Sequence, residues 1–230
     1  MKKKFLLLLC CVILLAFVSG CSYSSAKTIN TSPPQTISSK PTQSPLEILK
    51  DVLDNKVQIN QVAYKGSYDE GKTYPPFYIK DLIEKLDIEK NYNPYLSKFA
   101  IMDMDNDKSP EIVIRIDSDA ESFYEVLHYN NGKVYGYYFV FRAMEELKAD
   151  GTFVASSGAL DNSINKLSFS GETLSQVPLA YSETTDKLDD SGTPIVNYFI
   201  DNKPVNAGEF KAYSDKQSDK KEATWYELVV

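Results

Sequence analysis

The stretch SFYEVLHYNNGKVYGYYFVF, residues 122–141, constrains the fold of this chain more strongly than any other. Apolar and aromatic residues flank the dipeptide Asn131-Gly132, which two-residue type I′ turns require, so the stretch predicts a β-hairpin. The runs FAIMD and EIVIRI before it predict two more strands. After it, KLSFSGETLSQVPLAY predicts a second hairpin that turns at Ser170-Gly171. We therefore expect the middle of the chain to form a mostly antiparallel meander.

Helices are predicted on both sides of this meander. Ser44 is placed to cap a helix that has Pro45 at its first position and leucines at helical spacing. Apolar spacing predicts a second helix over residues 75–90. Near the C-terminus the pattern predicts a strand, a turn at Asp201-Asn202, a short helix and a closing strand. The expected fold class is α+β, with N-terminal helices, then a mostly antiparallel β-sheet meander with a late short helix.

The first residues differ in composition from the rest of the chain. Lys2–Lys4 precede an uninterrupted apolar run from Phe5 to Val18, and small residues follow it. A basic start, an apolar middle and a small-residue exit are typical of a secretory signal peptide. The apolar run is shorter than the ~20 residues that a transmembrane helix needs. Residues 1–20 are therefore predicted to be a signal peptide.

The end of this segment, VSGC at residues 18–21, resembles the lipobox of bacterial lipoproteins. The resemblance implies that cleavage follows Gly20 and that Cys21 carries a diacyl lipid. Two acyl chains suffice for stable anchoring, so the resemblance also implies a place on the outer face of the cell membrane. The expected source is a Gram-positive bacterium. The alternatives are an ordinary signal peptide that contains a cysteine and a short membrane anchor.

Residues 22–44 are rich in Ser, Thr and Pro and contain no acidic residue. Such a stretch cannot bury enough surface to offset its ordering entropy, which predicts a flexible tether rather than a packed arm. The expected organisation is a signal peptide at 1–20, the lipidated Cys21 and tether at 21–44, and a single extracytoplasmic domain at 45–230.

Charge and cysteine usage exclude several functions. Loss of the three signal-peptide lysines leaves 22 of the 25 basic residues against 32 acidic ones, a formal charge of −10. A chain this acidic is not suited to binding nucleic acid or anionic lipid. Cys10 and Cys11 would leave with the signal peptide, and Cys21 would carry lipid. The domain then has no thiol for a disulfide, a zinc site or a nucleophile.

Three aspartates alternate between the predicted strands FAIMD and EIVIRI. Carboxylates this close repel one another unless water solvates them or a cation binds them. Ca²⁺ is suited to this pattern because it takes about six to eight hard oxygen ligands, which loops supply from alternating positions and a backbone carbonyl. The predicted ligands are the carboxylates of Asp103, Asp105, Asp107 and Glu111 and the carbonyl of Ser109.

The stretch DMDNDKSPEI, residues 103–112, resembles the Asp-rich loops of integrin-type FG-GAP repeats and a loop common in uncharacterised Gram-positive lipoproteins. The resemblance implies a structural calcium loop and brings no activity with it. The sequence departs from the pattern at Lys108, where Gly is expected. Backbone strain and the added charge are both expected to weaken calcium binding there. The alternative is a turn whose aspartates cap backbone N–H groups.

No motif identifies a catalytic centre. His128 is the single histidine and is expected to be an ordinary strand residue, because no nucleophile or phosphate-loop motif accompanies it. Arg142 is expected to form an internal ion pair, and the segment SSGA at residues 156–159 to lie in a connecting loop. A ligand site is the alternative for both. Cross-strand packing rather than an exposed aromatic platform is expected for Tyr124, Tyr129, Tyr135, Tyr137 and Tyr138.

Two functions from different classes remain open. One is a non-catalytic, membrane-tethered domain that binds a wall polymer, a peptide or a protein, with calcium as a structural cofactor. The other is a small secreted hydrolase, similar to a glycosidase, that works with two carboxylates. A cleft holding two carboxyl groups of perturbed pKa would favour the hydrolase. A shallow surface with exposed tyrosines would favour the binding domain.

Overall fold

The first helix begins where its capping residues place it. The computed structural model describes residues 43–88 and 92–229, and α1 spans Pro45–Leu53. Ser44 accepts the backbone N–H of Glu47, and the Glu47 carboxylate accepts the N–H of Ser44, which forms a capping box ahead of Pro45. The predicted signal peptide, Cys21 and nearly all of the predicted tether lie outside the described residues.

The strands of the described residues form two sheets. In chain order they are β1 (Ile59–Gln61), β2 (Tyr95–Met102), β3 (Glu111–Asp117), β4 (Ser122–Asn130), β5 (Lys133–Phe139), β6 (Phe153–Ser156), β7 (Asn162–Ser170), β8 (Thr173–Leu188), β9 (Pro194–Ile200), β10 (Lys203–Val205) and β11 (Tyr226–Glu227). The larger sheet has the order β1-β5-β4-β3-β2-β11, and the smaller has the order β10-β9-β8-β7-β6. Neighbouring strands are antiparallel except β1 and β5, which are parallel. The predicted α+β fold class is confirmed.

The turns between strands follow local turn chemistry. Asn131 and Gly132 both have positive φ and join β4 to β5. Gly171, with φ +66°, joins β7 to β8. Asp201 and Asn202, with φ +49° and +58°, join β9 to β10. Asn, Asp and Gly are the residues that adopt this left-handed conformation most readily, so each turn lies where the sequence predicts it.

The helices are shorter than predicted in one region. A 3₁₀ turn at Ile79–Asp81 leads into α2 (Leu82–Lys85), and α3 (Ala207–Ser218) follows β10. The prediction of a helix in this region is confirmed, but its bounds of 75–90 are wrong, because the helical turns cover only residues 79–85. Phe77 exchanges two backbone hydrogen bonds with Ile59, of 2.8 and 3.1 Å, which holds this part of the chain extended. Asp87, with φ +55°, then ends the helical turns.

The larger sheet is buried on both faces. On one face Ile112 and Ile114 of β3 pack with Leu49 of α1 and Leu82 of α2. On the other face Val113 packs in a cluster with residues of the smaller sheet, including Phe153, Leu167 and Leu174. Because alternate residues of a strand point to opposite faces, the apolar run of β3 serves two cores. The helices α1 and α2, the larger sheet and the smaller sheet therefore form three layers.

None of the helices in the described part of the chain combines the length and apolar character needed to cross a membrane. Residues 43–229 lie in one compact unit.

Candidate functional site

The Asp run forms the connection between β2 and β3. Met102 and Glu111 are paired at the end of this ladder, so residues 103–110 leave the sheet as a loop. Asn106 and Lys108 have φ +66° and +74°, in the left-handed region that favours glycine. Lys108 therefore adopts the backbone conformation that explains why glycine is expected at its position.

The aspartates hold this turn by accepting backbone N–H groups. The two carboxylate oxygens of Asp103 accept the N–H of Asp107 at 3.1 Å and of Lys108 at 3.0 Å. Asp105 Oδ1 also accepts the N–H of Asp107, at 3.2 Å. Asp107 Oδ1 accepts the N–H of Ser109 at 2.6 Å. An ionised carboxylate has about four lone-pair sites, so these bonds leave acceptor capacity for a cation.

Three of the four predicted carboxylate ligands come together. Asp103, Asp105 and Glu111 each contribute a carboxylate oxygen, and these atoms lie within 4.8 Å of one another. Asp107 lies outside this group and is exposed, and the N–H of Ser109 is bonded to it. Carboxylate oxygens are the hard ligands that Ca²⁺ prefers, and water can complete its coordination of about six to eight ligands. The three residues could therefore hold a metal ion, and their oxygen ligands are of the type that Ca²⁺ takes.

Glu111 fixes this group to the core. Its side chain is fully buried, Oε2 accepts the N–H of Met104 at 2.9 Å, and Oε1 lies 3.0 Å from His128 Nδ1. Burial raises the pKa of Glu111, while the hydrogen bonds from His128 and Met104 oppose that shift. A cation beside the carboxylate would favour its ionised form.

The loop also joins the two sheets. Asp105 Oδ2 accepts the N–H of Phe169 in β7 at 3.3 Å. The ring of His128 in β4 stacks on the ring of Phe169, with centroids 4.3 Å apart and planes within 6°. The backbone of Gly151 approaches Met104 so closely that a Cβ would lie 2.8 Å from the Met104 Cα. His128 thus lies in a strand, as predicted, and its contacts connect Glu111 to the second sheet.

The tyrosines of the β4–β5 hairpin mostly belong to the two cores. Tyr124, Tyr135, Tyr137 and Tyr138 are buried, and Tyr129 is half-buried. They pack with the apolar residues of both clusters and do not present an aromatic platform to solvent.

A second buried polar group lies in the larger sheet, where the sequence did not predict one. Gln61 Nε2 donates to Glu125 Oε2 at 3.3 Å, and the Oε1 atoms of both residues have no partner among the described residues. Both lie beside Gly136, where a Cβ would contact Glu125 Oε1 and come within 2.8 Å of Gln61 Oε1. Burial raises the pKa of Glu125 well above its usual value; the bond from Gln61 opposes this shift, and the charge of Asp69 adds to it.

The raised pKa favours the protonated form of Glu125. A protonated carboxyl can donate through one oxygen while the other accepts. A proton on Glu125 Oε1 would make this unpartnered oxygen a donor, with the unpartnered Gln61 Oε1 as a candidate acceptor, while Oε2 accepts from Gln61 Nε2. Gln61 lies in β1, a short strand that the sequence did not predict, so no sequence signal paired these two residues.

The two arginines have different surroundings. Arg115 Nε lies 2.7 Å from Asp117 Oδ1 in an ion pair. Arg142 Nη2 instead donates to Ser156 Oγ at 2.7 Å and to the carbonyl of Gly158 at 3.5 Å. No carboxylate of the described residues lies within 4.0 Å of the Arg142 guanidinium, so the ion-pair prediction for Arg142 is wrong. Arg142 has φ +64° in the connection after β5, and its side chain bonds the hydroxyl of Ser156 and the carbonyl of Gly158.

The chain therefore has two candidate functional sites: the cluster of three carboxylates at the β2–β3 connection and the surroundings of Arg142. Their geometry carries the functional argument, since relatives do not supply one. The chain matches no protein-family model, no curated protein and no solved structure.

Proposed function

We propose that this protein is a non-catalytic binding domain, tethered by lipid to the outer face of a Gram-positive cell membrane and stabilised by a calcium ion in the β2–β3 loop. The observation that carries the calcium proposal is the convergence of Asp103, Asp105 and Glu111 where the two sheets meet. The tether rests on the resemblance of VSGC to a lipobox. A wall polymer, a peptide or a surface protein is the class of partner that this location offers.

The proposed ion has a structural role. Three carboxylates within 4.8 Å of one another repel, and a divalent cation removes that repulsion. Asp105 already contacts Phe169 of the smaller sheet, and Glu111 already contacts His128 of the larger one. An ion bound to both carboxylates would therefore hold the loop on both sheets.

Calcium is expected to stabilise the full chain in detergent micelles. With a Kd of about 1 mM, at the weak end of extracellular calcium modules, about 10 mM Ca²⁺ adds about 1.4 kcal/mol to the free energy of unfolding. For a domain of this size that raises the Tm by about 3–6 °C relative to EDTA. Asp105→Asn should abolish the rise, and Glu172→Gln, which changes an exposed carboxylate elsewhere, should preserve it. A wild-type Tm that is the same in calcium and in EDTA contradicts the proposal.

Lys108→Gly tests in the same Tm measurement whether calcium binds beside residue 108. Glycine adopts φ +74° without the cost of about 1–2 kcal/mol that a left-handed conformation imposes on other residues. The variant also removes a positive charge beside the site. We expect a higher Tm in EDTA and a larger calcium-induced rise than in the wild type. A smaller calcium-induced rise would show that the ion is bound elsewhere.

The lipid anchor has a separate test. When the chain is expressed in a Gram-positive host, intact-mass measurement is expected to show residues 1–20 removed and a diacylglyceryl group on Cys21. Two acyl chains would then keep the protein in the membrane fraction. Cys21→Ser should carry no lipid, whereas Cys10→Ser should be processed as the wild type. A mature chain that starts elsewhere, without lipid, would reject the lipobox assignment.

The hydrolase alternative has less support from the geometry. A glycosidase-like pair needs one carboxyl of raised pKa and one ionised partner beside a substrate. The groups of raised pKa, Glu111 and Glu125, are fully buried. Asp117 lines an open cleft, and burial opposes its ionisation, but hydrogen bonds from Ser122, Ser97 and Arg115 outweigh burial and lower its pKa. The raised and lowered groups therefore do not share a cleft.

A further inference from the structure

A cleft of about 400 Å³ opens between the end of β5, the loop at residues 64–68 and the smaller sheet. Pockets for small molecules begin at about 300 Å³, so a monosaccharide or a molecule of similar size fits here. Arg142 and the first residues of the SSGA segment, Ser156 and Ser157, line it. The calcium loop contributes no residue to this lining.

Arg142 brings to the cleft a positive charge that no direct ion pair among the described residues neutralises. Its Nη2 atom bonds Ser156 and Gly158, while Nε and Nη1 have no partner among the described residues. Asp161, the acid of the lining, accepts the N–H of Thr184 at 2.6 Å and makes no ion pair with Arg142. A guanidinium stays charged and binds a carboxylate through two parallel hydrogen bonds. The left-handed φ of Arg142 is backbone strain of the kind found at ligand sites.

The remaining lining suits a ring that carries hydroxyl groups. Asn162 and Gln176 line the cleft, and their side-chain amides make no hydrogen bond within the described residues. Tyr68 and Phe141 line the same cleft with exposed rings, 76% and 42% accessible. Lys72 Nζ lies 5.6 Å from the centroid of the Tyr68 ring and adds a second positive charge nearby. Exposed aromatic rings beside unpartnered amides can contact the apolar face of a sugar and its hydroxyls together.

We propose that this cleft binds an acidic saccharide, a sugar ring that carries one carboxylate. Arg142 binds the carboxylate, Asn162 and Gln176 bind ring hydroxyls, and Tyr68 and Phe141 pack against the apolar face of the ring. The site supplies a ligand for the binding domain proposed above, but it does not depend on the calcium ion. Loss of the calcium-induced Tm rise with saccharide binding intact would overturn the calcium proposal alone.

Titration calorimetry of the full chain in micelles, with D-glucuronate as the probe, tests the proposal. We expect saturable binding with a Kd of about 1 mM or tighter. Methyl glucoside, the neutral sugar, and N-acetylalanine, a carboxylate without a sugar ring, should each bind about tenfold more weakly, because each lacks one half of the recognised chemistry. Absence of saturable glucuronate binding overturns the proposal. Equal affinity for N-acetylalanine overturns its saccharide part.

Variants locate the binding at Arg142. Arg142→Gln is expected to weaken glucuronate binding about tenfold, and Arg142→Lys to weaken it less. Arg115→Gln removes the same charge outside the cleft and should change the affinity by less than about twofold. Tyr68→Ala should also weaken binding, and because this ring is 76% exposed the variant is expected to fold. It therefore tests the cleft even if Arg142→Gln does not fold. Unchanged affinity in both folded variants would place the ligand elsewhere.

Discussion

Replacing Glu111 with alanine is expected to lower the free energy of unfolding by about 3–5 kcal/mol, the range for removing one partner of a buried pair. Glu111 is fully buried, accepts the N–H of Met104 at 2.9 Å and lies 3.0 Å from His128 Nδ1. The truncation leaves that N–H and one ring nitrogen without their partner in the core. Urea unfolding in EDTA measures the change without any contribution from calcium.

Two matched variants identify the cause of this loss. Glu111→Gln keeps an acceptor for Met104 and a polar group facing His128, so it should lose only about 1–2 kcal/mol. Glu172→Ala removes an exposed carboxylate from the β7–β8 turn and should stay within about 0.5 kcal/mol of the wild type. A loss for Glu111→Ala as small as that for Glu172→Ala would show that the Glu111 contacts do not stabilise the fold.

The buried Glu125 is expected to make the protein less stable as the pH rises. Burial raises its pKa well above the usual value, with Gln61 opposing the shift and Asp69 adding to it. Above the pKa of an unfolded glutamate, about 4.3, the unfolded chain releases this proton while the folded chain keeps it. The unfolded state then binds fewer protons, so this residue lowers the free energy of unfolding by about 1.4 kcal/mol per pH unit until the folded-state pKa is reached.

Glu125→Gln isolates this contribution. The amide does not titrate, and like a protonated carboxyl it can both donate to and accept from Gln61. In urea unfolding from about pH 5 to about pH 8, the free energy of unfolding of the variant should rise relative to that of the wild type with each increase in pH. Glu172→Gln, at an exposed site, should follow the wild-type curve. Parallel curves for the wild type and Glu125→Gln would mean that Glu125 is ionised in the folded protein.

The turns show how far local chemistry predicts this fold. Asn131-Gly132, Gly171 and Asp201-Asn202 were predicted correctly because the preference for positive φ belongs to the residues themselves. The length predicted for the helix over residues 75–90 was wrong for the opposite reason. Its apolar spacing is helical, but Phe77 pairs with the backbone of Ile59, and a partner 18 positions away in the chain leaves no trace in local periodicity.

The candidate sites also contain some residues that local sequence predicts and some contacts that depend on the tertiary fold. The sequence placed Asp103, Asp105 and Glu111 in one short stretch, and ligands at such short spacing can meet whatever the rest of the fold does. It could not show that Glu111 meets His128, that Glu125 meets Gln61, or that Arg142 lacks an acid.

The sequence by itself determined the α+β class, the β-turns and the loop that carries the carboxylates. Each of these depends on residues close together in the chain, through backbone dihedral preference, apolar period and the spacing of ligands. Only the tertiary structure decided which polar side chains are buried together and which charge remains unmatched. Those outcomes depend on strand register and on how the two sheets stack, which bring together residues as far apart as Gln61 and Glu125.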